Sequence, residues 1–385
     1  MSDSPEARRI TPKGKNHLFG YYEKTPWDPT GRHMLALETE LYDRIPSVND
    51  PAVIGLVDRQ DGNAWRPITE TRAWNWQQGC QAQWLPGEGR RVIYNDYDGQ
   101  RLVSVILDVD SGERRTLPRP IYAVSPRGDV AVTLNFARFL WTRPVCGYAG
   151  VSDPWEGQPH PDDDGIYRMD LETGESELIV SLGQMAALEP RDDMAGANHW
   201  LNHLMFNTDG SRFMLFHRWI VPGERRVTRL YTANADGSDL HCVADDDMTS
   251  HCDWKDERTI LAWARQHDVG NRFYSFTDQS RERSIVGEGI LTRDGHCTYS
   301  PDRRWILADT YPNKSDPHRV VYLYDPAEKR RVEIARVYSP PALTAEIRCD
   351  LHPRWSRDGT EVCFDSAHEG DRQMYVVDVG EIVGA

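Results

Sequence analysis

No stretch of this sequence is apolar for long enough to cross a bilayer, and the first nine residues (Met1-Ser-Asp-Ser-Pro-Glu-Ala-Arg-Arg9) carry no apolar signal core. The expectation is a cytoplasmic protein without a membrane partner. Cysteine usage points to the same compartment. The seven residues, Cys80, Cys146, Cys242, Cys252, Cys297, Cys349 and Cys363, are odd in number and lack the spacing of a disulfide framework. A basic excess is also missing: 45 Lys and Arg face 60 Asp and Glu, a net charge of −15, which excludes non-specific nucleic-acid binding. An anionic substrate must therefore be met by a local cluster of Arg and His.

What the chain has in quantity is turn formers and aromatics. Its 24 Pro, 29 Gly and 13 Trp suit many short strands joined by tight turns and disfavour long helices. Seven polar turns recur: Asp28–Gly31, Pro86–Gly89, Pro126–Gly128, Thr208–Gly210, Lys255–Glu257, Pro301–Arg303 and Arg357–Gly359. Each launches a strand-like run, respectively Met34–Leu37, Val92–Tyr94, Val130–Leu134, Phe213–Phe216, Thr259–Trp263, Trp305–Ala308 and Glu361–Phe364. A second series runs out of phase: Ile54–Asp58, Val103–Asp108, Tyr167–Asp170, Leu230–Ala233, Phe273–Phe276, Val321–Asp325 and Met374–Asp378. Repeats of roughly 40–50 residues that each supply several strands are the signature of a propeller. The predicted fold is all-β, a seven-bladed β-propeller of four-stranded antiparallel blades, with residues 1–385 as one domain. The segment from about 8 to 24 is expected to close the ring, because an open sheet edge there is a liability. Insertions fall at 143–165 and 184–198, with a shorter loop at 311–318, and are candidate rims of a cleft.

Blades four to seven share a feature that the first three lack. A His stands shortly before the strand-launching turn in His203-Leu-Met-Phe, His251-Cys-Asp-Trp, His296-Cys-Thr-Tyr and His352-Pro-Arg-Trp. Equivalent blade positions are brought around one axis in a propeller, so these four are expected at the channel mouth. Imidazole is the commonest transition-metal ligand, and Cys349 adds a soft thiolate. His296, Cys349, His352 and Asp309 form a candidate four-ligand site for a divalent metal. Arg218 beside His217, Arg229 and Arg348 are guanidiniums suited to a carboxylated sugar. The bland reading of each residue stays open: Cys349 as core, His352 as a turn cap, each Arg as surface.

At these residues the chain resembles oligogalacturonate lyase, a seven-bladed propeller that cleaves short uronides by β-elimination in the bacterial cytoplasm. The family's His-Pro-Leu-Phe turn is similar to His203-Leu-Met-Phe206, its Cys-His-Glu strand end to Phe216-His217-Arg218, and its Arg-Met-Trp strand to Arg229-Leu-Tyr231. Its catalytic-base segment, His-Glu-Phe-Trp, is similar to His251-Cys-Asp-Trp254, and its first metal ligand falls on His296. The family's Gln-x-x-His-Pro-His falls on Cys349-Asp-Leu-His352-Pro-Arg354, so Gln becomes Cys349 and the last His becomes Arg354. A thiolate there favours zinc over manganese. The match spans 198–380. The N-terminal half is similar to ulvan lyases at Phe19-Gly-Tyr-Tyr22, Trp74-Asn-Trp-Gln-Gln-Gly79 and Ile93-Tyr-Asn-Asp96. The histidines that this second resemblance puts near Trp76 and Asp96 are absent, which disfavours ulvan itself.

The resemblance implies β-elimination on a uronic-acid-containing oligosaccharide. His251 is the expected base, Arg229 neutralises charge, and His203 serves the leaving oxygen. His199, His217, Arg218, Trp74, Trp76 and Tyr22 are candidate substrate contacts. Two other classes stay open. A glycoside hydrolase would use paired carboxylates such as Asp162–Asp164 and Asp245–Asp247, and a non-catalytic propeller would serve as a binding scaffold. The sequence specifies no oligomeric state.

Overall fold

In the computed structural model the described residues are 5–87, 89–220, 223 and 225–384, so Glu88 of the second turn and Met1–Ser4 of the N-terminal reading lie outside them. The chain is a seven-bladed β-propeller. Seven sheets of four antiparallel strands follow one another through residues 16–71, 83–117, 123–181, 198–244, 249–286, 297–338 and 354–378. The last sheet takes its fourth strand from the opposite end of the chain: Arg8 pairs with Val376 and Arg9 with Tyr375. The expected closing segment thus contributes to two sheets, since Asn16–Leu18 opens the first blade.

The runs read from the sequence are the second and third strands of each blade. They form because both faces are apolar and buried, as where Leu35 meets Leu56 and Met34 meets Val57 in blade one. The acidic residue that ends many third strands has a local cause. Asp108 Oδ1 accepts from the backbone N–H groups of Asp110 (3.1 Å) and Ser111 (2.8 Å), and Asp170 Oδ1 accepts from Glu172 (2.9 Å) and Thr173 (2.7 Å). These carboxylates pin the turn, while Gly112 and Gly174 adopt the positive φ (78° and 80°) that completes it.

Both expected insertions depart from the strand pattern. A helix, Phe136–Thr142, precedes the first and is capped by Asn135, whose side chain accepts from the N–H groups of Ala137 and Arg138. The second carries helix Leu182–Ala187 and a single 3₁₀ turn, Asp192–Met194. The chain divides into two compact units. One comprises 1–97, 105–115 and 287–385, the other 98–104 and 116–286.

Within the first unit, Arg354 is 1% exposed and ties the N-terminal segment to blade seven. Its guanidinium takes both Asp365 oxygens, at 3.0 and 2.9 Å, and also donates to the carbonyls of Gly20 and Tyr21. Gly20 has φ +144°, and a Cβ there would lie 2.8 Å from the Gln78 carbonyl oxygen. Arg354→Met strands a buried carboxylate at Asp365 and is expected to cost about 3–5 kcal/mol. Thermal denaturation should show the loss, and Arg354→Met with Asp365→Leu should recover much of it.

Candidate functional site

In the first unit, His296, Asp350 and His352 place donor atoms within 4.8 Å of one another, and all three are buried. His296 immediately precedes the first strand of blade six, Cys297–Tyr299. Gly295 before it is required by packing, because a Cβ there would lie 1.9 Å from the Asp309 carbonyl oxygen. That close approach lets the Asp309 carboxylate accept from the His296 backbone N–H at 2.8 Å and reach Nδ1 at 2.9 Å. Asp309 therefore fixes the ring from behind and leaves Nε2, 3.2 Å from the Tyr311 hydroxyl, toward the group. The two imidazoles lie 4.3 Å apart between centroids, at 78°. Tyr21 packs edge-on to His352 at 5.0 Å, and Tyr22 lies 5.2 Å from His296.

Asp350 is the donor that the sequence reading missed. Burial opposes its ionisation, but the guanidiniums of Arg319 (2.9 Å) and Arg348 (2.6 Å) prevail and hold its pKa down at about 2. Gln77 in turn accepts from Arg348 at 3.0 Å. A carboxylate has lone pairs for a cation besides those facing the arginines, and two imidazoles with one carboxylate suit a divalent transition ion. Cys349 is not among the three converging residues. It packs with Leu343 and Ala367, and burial pushes its thiol pKa up. The preference for zinc over manganese rested on that thiolate; with a carboxylate in the set, the donors do not discriminate between the two. Arg354, at the family's last ligand position, serves Asp365 as described. Trp74 and Trp76 are core side chains 5.0 Å apart, their indole N–H groups donating to the carbonyls of Asp50 (2.7 Å) and Arg44 (2.8 Å).

In the second unit, His203 and His251 sit in the first strands of blades four and five, with ring centroids 6.3 Å apart. Each lies at a break in strand register, between Asn202 and Met205 and between Thr249 and Cys252. His203 has φ 54°, a left-handed value costing an L-residue about 1–2 kcal/mol. Bulges of this kind re-aim a side chain beside a site. Arg218 is buried, donates to Thr228 Oγ1 at 3.1 Å and reaches the Thr249 carbonyl at 3.5 Å, next to the His251 segment. The Arg229 fork is spent on Asp245, at 2.5 and 2.9 Å, and on the Glu189 carbonyl at 2.9 Å.

His199 and His217 are fully buried and share a 2.8 Å contact between Nδ1 and Nε2. Burial lowers the pKa of both. Neighbouring His160 and Arg138 add to the effect for His199, which falls to about 4, while His199 and Arg229 add to it for His217. A neutral pair has one N–H for the shared bond, so the bond also sets the tautomers. Of the candidate substrate contacts, Tyr22 thus lies against His296 in the first unit, while His217 is paired with His199 in the second.

No family model and no curated protein matches the sequence. Among solved structures, the oligogalacturonate lyase of Vibrio parahaemolyticus aligns over 99% of this chain and 96% of its own, with TM-score 0.68 and 15% identity. An oligogalacturonate lyase in complex with manganese aligns over 100% and 96%, with TM-score 0.70 and 18% identity. The chain has the fold of the oligogalacturonate lyases. Fold alone does not select the chemistry: a puromycin-hydrolysing peptidase of Mycobacterium tuberculosis also matches, at TM-score 0.53 and 12% identity, over 89% of this chain and 49% of its own.

Two outcomes follow from this geometry. Elemental analysis after equilibration with manganese or zinc should show His296→Ala and Asp350→Ala losing bound metal, whereas Cys349→Ser keeps it. The buried histidines should also give the protein an acid limit. The His199 pKa is depressed on folding from 6.5 to about 4, so the unfolded chain binds the proton first and stability falls as pH drops through that interval. His199→Gln should flatten the pH–stability curve there by up to about 1.4 kcal/mol per pH unit.

Proposed function

We propose that this protein is a carbohydrate lyase that cleaves a uronic-acid-containing oligosaccharide by β-elimination. The observation that carries the reading is the facing pair His203 and His251, each on a register break of adjacent first strands, with Arg218 hydrogen-bonded to the strand that bears His251. In the proposed reaction His251 removes the proton α to the sugar carboxylate. The C–H electron pair becomes the new C=C bond, the β carbon–oxygen bond breaks, and the leaving oxygen takes a proton from His203. Arg218 pairs with the carboxylate and with the negative charge that grows on it as the proton leaves. Arg229, already held by Asp245, ties down the 184–198 insertion through the Glu189 carbonyl.

A divalent ion on His296, Asp350 and His352 would supply Lewis-acid charge to an anionic oxygen when bound. Around it, Asp309 orients His296, and Arg319 with Arg348 keeps Asp350 ionised. Tyr21 and Tyr22 cover the two imidazoles.

The hydrolase alternative has less support, because the carboxylates it needs are engaged. Asp245 pairs with Arg229, and Asp247 pairs with Arg191 and Arg225. Asp164 is fully buried, and its two oxygens accept from Asn135 Nδ2 (3.1 Å) and the Gly165 backbone N–H (2.9 Å). Incubation with a panel of oligouronides should yield products carrying the ultraviolet band of an unsaturated uronide, which hydrolysis cannot produce. His251→Ala should reduce the rate by about 10²–10⁴-fold. Full activity in that variant removes His251 from the role of base.

A further inference from the structure

Away from the residues discussed so far, the first unit contains a cavity of about 310 Å³ against the outer strands of blade six, His318–Asp325 and Arg330–Tyr338. Three guanidiniums line it, those of Arg293, Arg331 and Arg336, against two carboxylates, Asp316 and Glu333. The positive excess is local, in a chain whose net charge of −15 repels anions at long range. Two of the arginines are already neutralised. Arg336 pairs with Asp316 at 2.7 Å, and Arg331 pairs with Glu333 at 3.1 Å while covering the Tyr322 ring at 4.3 Å. Arg293, which enters from the connection before blade six, makes no ion pair among the described residues.

Size and lining then narrow the ligand. Such a volume far exceeds the roughly 10–15 Å³ that one water needs, which is room for a sugar ring rather than for a small inorganic anion alone. The lining is mainly polar, with Asp316, Glu333 and Thr310 as hydroxyl acceptors, and Ile290, Leu291 and Val320 supply its smaller apolar part. We propose that this cavity binds one carboxylate-bearing ring of an acidic saccharide, with Arg293 on the carboxylate and Asp316 and Glu333 on the hydroxyls. The ligand class rests on the lyase reading; the cavity and its charge do not. Thr310 in its wall stands between Asp309 and Tyr311, two of the residues that contact His296, so the occupant lies one residue from that support.

The test is a titration of the full-length protein, with labelled methyl groups of Ile290, Leu291 and Val320 followed by NMR. Galacturonate monosaccharide is the probe, and because it has no glycosidic bond its binding is read whether or not the protein is a lyase. Saturable shifts of these methyls are expected with galacturonate and not with galactose. Arg293→Ala should weaken them by about tenfold or more, as befits the loss of a charge-assisted pair. The proposal is overturned if the three methyls stay still while others move, or if Arg293→Ala leaves the affinity unchanged. It is overturned equally if inorganic sulfate matches galacturonate, which would make the cavity a simple anion site. Absence of unsaturated product in the separate lyase assay would sink the elimination reading and leave the methyl result standing.

Discussion

A single buried guanidinium holds together the part of the molecule where His296 and His352 meet. Arg354 stands just after His352, and it binds Asp365 of the neighbouring strand and the backbone of Gly20 and Tyr21 at once. Its charge is compensated by one carboxylate and its remaining donors by carbonyls, the condition under which a buried ion is tolerated. The Tyr21 and Tyr22 rings lie against the two imidazoles because that backbone is fixed there. A residue that departs from the lyase family's last ligand motif thus does structural service for the cluster it does not join.

The histidines share a second physical theme, which is irregular backbone. His203 and His352 adopt positive φ values of 54° and 42°, and His203 and His251 fall at breaks in strand register. A regular first strand would alternate its side chains between the two faces of the blade. Breaking the register frees these residues from that alternation, at a local cost of about 1–3 kcal/mol for each left-handed residue. Apolar second and third strands beneath, such as Phe213–Phe216 and Ile260–Ala264 with almost no exposure, are rigid enough to impose that conformation.

Those inner pairs of strands are also what made the fold legible in the sequence. Every run of the two out-of-phase series falls within, or one residue from, the second or third strand of a blade, because burial on both faces leaves a contiguous apolar signal. The first and fourth strands were not visible. Gln83–Trp84 and Arg354–Trp355 are too short to show a period, and Arg114–Leu117 is mostly exposed and reads as turn. The candidate metal cluster was half legible. His296 and His352 stood out by their phase against the turns, but Cys349 attracted notice by its chemistry while Asp350 supplied the converging donor. Residues 349–353 lie outside any strand and His352 takes a left-handed φ of 42°, so no strand alternation in the sequence pointed to Asp350. Arg348 was noticed for its charge but assigned to a sugar carboxylate, whereas it pairs with Asp350 two residues on; Arg319 and Gln77 were beyond reach, since they come from segments distant in sequence.

The closing of blade seven by Arg8 and Arg9 sets a timetable for biosynthesis. These residues pair with Tyr375 and Val376, so this strand waits for a partner made more than 360 residues later (375 − 9 = 366). At translation speeds of about 5–20 residues per second, the interval is roughly 20–70 s. During it the apolar edge of the growing sheet array stays open to chaperones and to other nascent chains. Only after the ribosome has delivered the seventh blade can Arg354 reach Gly20 and Tyr21, so the cluster cannot be complete before then.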